Sequence, residues 1–161
     1  MIRKAQGRIV NVGSISGHIS TPFLGPYSAS KFALRALNDS LRVELKPWNI
    51  SVSLIEPGPV ETPIWDKSLS SAHALRSKLP TQAEQLYKGP MEAMEKAVET
   101  SKKYAVGVSM VTKVVTHALT SPKPRAHYPV GKFATMQTLM AGILSEKVKD
   151  KMIVKSMGLP H

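Results

Sequence analysis

Apolar positions in this chain change period several times, and each change marks an element. Ile9, Val10 and Val12 follow Arg8 as a short, nearly continuous run, which predicts a mostly buried parallel strand over residues 8–13. Gly13-Ser14-Ile15-Ser16-Gly17 closes that run with small residues, and His18 to Pro26 is a loop punctuated by Pro22, Gly25 and Pro26. From Tyr27 to Lys46 the period becomes helical. Ala29, Ala33, Ala36, Leu37, Leu41 and Leu45 form one apolar stripe, expected to face inward, and Pro47 is expected to end the helix. Phe32, Leu34 and Val43 lie off the stripe, so a second covered face is expected. Ile50 to Glu56 predicts a second strand, and the strand–helix–strand succession predicts a right-handed parallel unit.

Pro57-Gly58-Pro59-Val60-Glu61-Thr62-Pro63 follows that strand directly. Residues 64–104 have helical character and are rich in Lys, Glu and Ala; an insertion of this length at the ligand edge of a sheet is expected to act as a lid. Ser109 to Thr120 predicts a helix with Val111, Val114, Val115, Ala118 and Leu119 inward, stopped by Ser121-Pro122-Lys123-Pro124. Ala126 to Val130 predicts a third strand, placed at an edge because Pro129 cannot donate to a ladder on both sides. One or two helices fill 133–157, and residues 1–6 read as the end of a preceding element.

Composition narrows the picture. With 161 residues and 42% hydrophobic content, the chain can bury a core of ordinary domain size. Zero cysteines exclude disulfides and thiolate metal sites. No leader-like apolar segment follows the basic start, and the run Phe133 to Leu144 is too short to span a bilayer. These features predict a cytoplasmic setting, with attachment to a membrane surface as the alternative. The net charge is +11, of which residues 67–161 carry +9. That excess reads first as a solvated lysine-rich surface, and second as attraction to anionic cofactors or lipid. No reading motif or aromatic–basic platform accompanies it, so nucleic acid is not an expected partner.

Candidate chemistry lies in Ser14, Tyr27 and Lys31. On a helix, positions i and i+4 are neighbours one turn apart, so Tyr27 and Lys31 present a phenol and an ammonium on one side. Ser14 lies at the carboxyl end of a parallel strand, where α/β sheets collect ligands. Tyr128 and Lys132 share the same spacing, but Pro129 and Gly131 lie between them and predict a strand, which holds the two side chains roughly 13 Å apart. His18 is expected to be a solvated loop residue, with substrate contact as the alternative. His117 and His127 are expected to be structural or exposed, since no metal-ligand spacing joins them. Trp48, Trp65 and the methionines at 136, 140, 152 and 157 are expected to be packing residues.

These motifs resemble the short-chain dehydrogenase/reductase family in its carboxyl-terminal portion. The matching signals are Ser14, Tyr27-x-x-x-Lys31 within "GPYSASKFAL", and Pro57-Gly58-x-Val60-x-Thr62. The run from "GRIVNVGSISG" to "LIEPGPVETPIW" is most similar to the branch acting on steroids, retinoids and related hydrophobic alcohols. The resemblance implies an α/β fold, a partial Rossmann-like doubly wound parallel sheet holding strands five to seven, so that residues 1–161 form one incomplete domain with 64–104 as its lid. It implies Tyr27 as general acid/base, Lys31 as the group that favours the phenolate and holds the nicotinamide ribose, and Ser14 as the donor to the reacting oxygen. Pro57 and Gly58 would shape the nicotinamide loop, Val60 would offer its backbone N–H to the carboxamide, and Thr62 would stand nearby. NAD or NADP is the implied cofactor and a small hydrophobic alcohol or carbonyl the implied substrate. The family's glycine-rich phosphate loop, its NAD/NADP-selecting residue and its catalytic asparagine have no counterpart in the sequence. The expectation is therefore part of an oxidoreductase, with a truncated, inactive association module as the alternative. In either case a homo-oligomer would form through helix 27–46.

Overall fold

The computed structural model describes residues 2–159. The chain divides into two compact units: residues 1–60 with 106–143, and residues 61–105 with 144–161.

The first unit holds a three-stranded parallel sheet in the order β1-β2-β3, formed by β1 (Arg8–Val12), β2 (Ser51–Pro57) and β3 (His127–Val130). β2 is central, and its five middle residues are all buried. A central parallel strand is covered on both faces, and here the buried run takes in Ser53 and Glu56 along with Val52, Leu54 and Ile55. β1 and β3 are the edges, as Pro129 foretold for β3. A short helix α1 (Ile2–Ala5) precedes β1, and the Arg3 guanidinium lies 4.5 Å from the Trp48 ring centre. Trp48 is 43% exposed, so it is a half-open stacking surface rather than core.

One face of the sheet carries the apolar core. Ile55, Ala118, Tyr128 and Val130 form its buried cluster, with Val10, Val106, Val111, Val114 and Val115 packed against it. Helix α5 (Val108–Thr120) supplies four of these residues and packs on all three strands. Leu119, expected inward, is 49% exposed, because the helix turns it away from the Val111–Ala118 stripe. Arg8 reaches from β1 to the end of α5 and donates to the carbonyls of Ala118 (3.1 Å) and Ser121 (2.6 Å). These are terminal carbonyls that the helix itself leaves without partners.

Helix α2 (Gly25–Glu44) packs on β2 and corrects two expectations. It begins before Tyr27 with Pro26 in its first turn, where the missing N–H costs nothing. It also ends before Pro47, which lies in a 3-10 turn at Lys46–Trp48 closed by left-handed Asn49. The larger correction concerns its face. The buried positions are Ser28 and Asn38, whereas Ala29, Ala33, Ala36 and Leu37 point to solvent. The sheet beneath is polar here, and Asn11 of β1 donates to the Asn38 side-chain oxygen at 3.1 Å.

A final helix, α6 (Ala134–Ile143), packs on β3. The second unit contains α3 (Ile64–Arg76), α4 (Thr81–Lys103) and α7 (Glu146–Met157). Its α3 and α4 are tied by exposed ion pairs, Arg76 to Glu84 and Glu95 and Lys102 to Asp66, which contribute little each in water. Among the described residues no helix is long and apolar enough to cross a membrane.

Candidate active site

The sheet fixes where the candidate residues stand. The chain leaves β1 at Val12, and the Gly13 N–H donates to the Ile55 carbonyl at 2.7 Å, keeping the following loop against β2. Ser14 then caps a 3-10 turn, Ile15–Gly17, and accepts the Ser16 N–H at 3.1 Å. Its hydroxyl donates to the Pro57 carbonyl at 3.4 Å, a long bond whose hydrogen is easily redirected to a better acceptor. Ser14 is only 9% exposed and already oriented.

Gly17 brings this turn onto α2. A Cβ at position 17 would lie 2.9 Å from the Lys31 carbonyl oxygen, a backbone atom that cannot swing aside. Gly17→Ala is therefore expected to cost about 1–3 kcal/mol by forcing the turn and the helix apart. Urea titration of the variant against the parent measures it, and an unchanged midpoint would remove the close approach as a constraint.

Across that contact, Lys31 Nζ donates to the Val12 carbonyl at 3.4 Å, and its ammonium sits 5.6 Å from the Tyr27 ring centre. An ammonium has three donors, so this bond leaves capacity for other acceptors. Tyr27 is 46% exposed. Ser14 and Lys31 thus each bond a backbone carbonyl at the carboxyl ends of β2 and β1, with the Tyr27 ring beside the Lys31 ammonium; this is the edge where ligands bind in open α/β sheets. The second pair, Tyr128 and Lys132, lies on β3 and the turn after it, as its Pro and Gly dictated. Tyr128 is buried, with its hydroxyl accepting the Arg125 N–H at 2.9 Å and bonded to His117 Nδ1 at 2.8 Å.

Pro57 ends β2, and the Gly58 N–H donates to the Val130 carbonyl at 2.8 Å. Gly131, facing Gly58 from β3's end, has φ +136, a conformation side chains rarely adopt. Val60 forms an isolated parallel bridge with Val106, which pins the far end of this loop within the first unit. Thr62 belongs to the second unit, in the turn before α3.

Sequence reasoning missed a chain of four polar side chains beneath this edge. Glu56, 1% exposed, bonds His18 Nε2 through one oxygen at 2.6 Å and His127 Nδ1 through the other at 3.3 Å. His127 Nε2 continues to Asp39 Oδ1 of α2 at 3.1 Å. His18 is thus no solvated loop residue: its side chain is 11% exposed and engaged. Burial by itself would raise the Glu56 carboxyl, but the His127 and His18 bonds outweigh it and bring it from 4.5 down to about 2. The Glu56 bond, opposed by burial and aided by Asp39, raises His127 above its ordinary value. The available signal was Glu56 itself, a lone carboxylate inside an otherwise buried strand, which requires partners. Among the described residues no group of three or more His, Asp or Glu is disposed to hold a metal ion.

Residues 1–72 match the family model for short chain dehydrogenase. The chain is 32% identical over 154 residues to an NADPH-dependent 3-dehydrocapnine reductase of Ornithobacterium rhinotracheale, covering 96% of this chain and 52% of that protein. It is 32% identical over 166 residues to mouse (Mus musculus) 17-beta-hydroxysteroid dehydrogenase type 6, covering 99% and 51%. The crystal structure of a short chain dehydrogenase from Burkholderia cenocepacia in complex with NADP shares the fold, with TM-score 0.60, 19% identity and coverage of 93% and 50%. The chain belongs to the short-chain dehydrogenase/reductase family. It spans about half the length of the curated relatives it matches.

Proposed function

We propose that this chain carries the proton-handling side of an NAD(P)-dependent oxidoreductase that interconverts a hydrophobic alcohol and its carbonyl. The observation supporting this is the joint placement of Ser14, Tyr27 and Lys31 at one sheet edge, each held by a different contact. The nicotinamide end of a dinucleotide fits here: an ammonium with donors to spare faces an open edge beside a glycine loop, Pro57-Gly58, whose backbone can be approached closely. When bound, that cofactor would supply or accept the hydride at the substrate carbon. Tyr27 would donate the proton to the carbonyl oxygen during reduction and withdraw it from the alcohol during oxidation. Lys31 would favour the phenolate through its charge and hold the ribose hydroxyls. Ser14 would turn its hydroxyl from Pro57 to the substrate oxygen. Val60 would offer its backbone N–H on the carboxamide side of the loop.

Exposed apolar residues near Ser14 and Tyr27 in the chain support a hydrophobic substrate. Val12 at the end of β1 and Phe23 in the loop before α2 are 55% and 52% exposed, so apolar side chains stand open on the segments flanking Ser14 and Tyr27. Phe23 also holds φ 68, a left-handed conformation unusual for a ring residue. The mouse relative's name points the same way, to a steroid alcohol. The test is titration with NADH and NADPH followed by fluorescence, then turnover on a secondary alcohol of steroid size. Nucleotide binding with turnover is expected, and the absence of both would overturn the assignment.

A second reading, a catalytically silent association module, has its own observation. Phe32, Leu37 and Val43 of α2 are 41%, 56% and 63% exposed, and with Ala29, Ala33 and Ala36 they form an apolar face turned away from the sheet. A face of that kind is an interaction surface, and a second copy of the chain is the proposed occupant. Leu37→Asp is expected to shift sedimentation toward monomer; an unchanged profile would remove α2 as the contact.

A further inference from the structure

We infer that Glu56 is a positioning residue, the tie that holds the Ser14 loop, the Tyr27–Lys31 helix and the Pro57-Gly58 loop in one arrangement. The inference rests on the reaction assigned above to Ser14, Tyr27 and Lys31.

The loop that carries Ser14 is anchored to β2 on both sides of the serine. On one side the Gly13 N–H bonds the Ile55 carbonyl. On the other, His18, which caps the 3-10 turn with its own N–H on the Ile15 carbonyl, drives its ring onto Glu56. Between the anchors, Ser14 bonds the carbonyl of Pro57, the residue after Glu56. Three consecutive β2 residues, Ile55, Glu56 and Pro57, therefore fix one short loop. Remove the Glu56 anchor and the turn keeps only the Gly13 and Ser14 attachments, both at its amino-terminal end.

The other oxygen of Glu56 extends the tie to α2. An ionised carboxylate only accepts hydrogen bonds, so both imidazoles must donate to Glu56. His127 then donates through Nδ1 to Glu56 and through Nε2 to Asp39, which makes it the doubly protonated imidazolium. Asp39 lies on α2 twelve residues beyond Tyr27 and eight beyond Lys31, on the same rigid helix. One unbroken run of side chains, His18, Glu56, His127 and Asp39, so joins every element that contributes to the site within the first unit. Arg42 of α2 stands 3.5 Å from Asp39, Arg35 lies one turn before Asp39 on the same helix, and His117 of α5, on the opposite face of the sheet, is bonded to Tyr128.

Hydrogen exchange on the full chain tests the tie without requiring turnover. In Glu56→Gln, one imidazole loses its acceptor, and exchange at the amides of Ser16, Gly17 and His18 is expected to accelerate at least about tenfold. Exchange at Val52 and Leu54 in the middle of β2 reports the global loss of stability, and the loop amides are expected to accelerate about tenfold beyond it. Equal acceleration of both sets would make Glu56 a general stabiliser and overturn the inference, as would no acceleration of the loop amides. Should Glu56→Gln fail to fold, His18→Gln cuts only the loop end of the run and is expected to loosen the same three amides; failure to do so overturns the inference. Where the chain turns over substrate, Glu56→Gln is expected to lower kcat about tenfold with the nucleotide KM within about twofold, since positioning acts on the reacting geometry. An equal rise in KM with kcat unchanged would overturn the catalytic part. A chain with no turnover sinks the reaction assignment while the exchange result still decides the tie.

Discussion

Tyr27→Phe is expected to lower kcat about 10²–10⁴-fold, the usual contribution of a positioned acid–base group, while nucleotide affinity stays within about twofold. The substitution removes one oxygen from a ring that is 46% exposed, so stability should move by no more than about 0.5 kcal/mol. The loss should fall equally on kcat and kcat/KM, because proton transfer belongs to the transition state and not to ground-state binding. Tyr128→Phe provides the internal contrast. That hydroxyl is held by the Arg125 N–H and His117, both on exposed residues that water can reach, so its removal is expected to cost about 0.5–1.5 kcal/mol of stability, the net worth of an ordinary hydrogen bond. It touches no residue of the Ser14 edge, so kcat should hold. Two tyrosines, each four residues before a lysine, would thus respond in opposite ways. Initial rates and urea midpoints for both variants measure this, and an unchanged kcat in Tyr27→Phe would end the assignment of the phenol.

Much of this arrangement was legible because local signals sufficed. β1 announced itself as an apolar run, and Pro129 alone placed β3 at an edge. Ser14 was placed by the strand before it, and Tyr27 and Lys31 by helical spacing. The face of α2 was not legible. Periodicity finds a stripe but does not say whether a sheet or another molecule covers it, and here the sheet side is built from Ser28, Asn38 and Asp39. Small or polar residues face the sheet because Asn11, Glu56 and His127 line it there. The Glu56 run was hidden for a different reason. Its members stand at positions 18, 39, 56 and 127, and only the β2–β3 register, with Leu54 opposite His127 and Ile55 opposite Tyr128, brings them together. His18 looked like a loop residue because its partner lies 38 positions away.

The same run sets an expected dependence of stability on pH. Glu56 has a carboxyl lowered from 4.5 to about 2, so the folded state holds its proton less tightly than the unfolded chain. Its contribution is fully present above about pH 4.5 and is lost as pH falls toward about 2. That drop corresponds to about 3 kcal/mol, or on the order of 10 °C in Tm for a chain of this size. His127 works in the opposite sense. Its raised value means that its contribution is fully present below 6.5 and is lost as pH rises through the folded value. The two together predict a Tm maximum between about pH 4.5 and 6.5. Glu56→Gln should flatten both limbs, since Glu56 is also the first cause of the His127 rise. His127→Gln should remove the alkaline limb and part of the acid one, because His18 still lowers Glu56. Melting curves of the three proteins from pH 2 to 9 separate these effects, because the other ionisable groups are common to all of them. Parallel curves would mean that the buried carboxylate and its imidazoles contribute no linked stability, and that the contacts at 2.6 and 3.3 Å do not persist in solution.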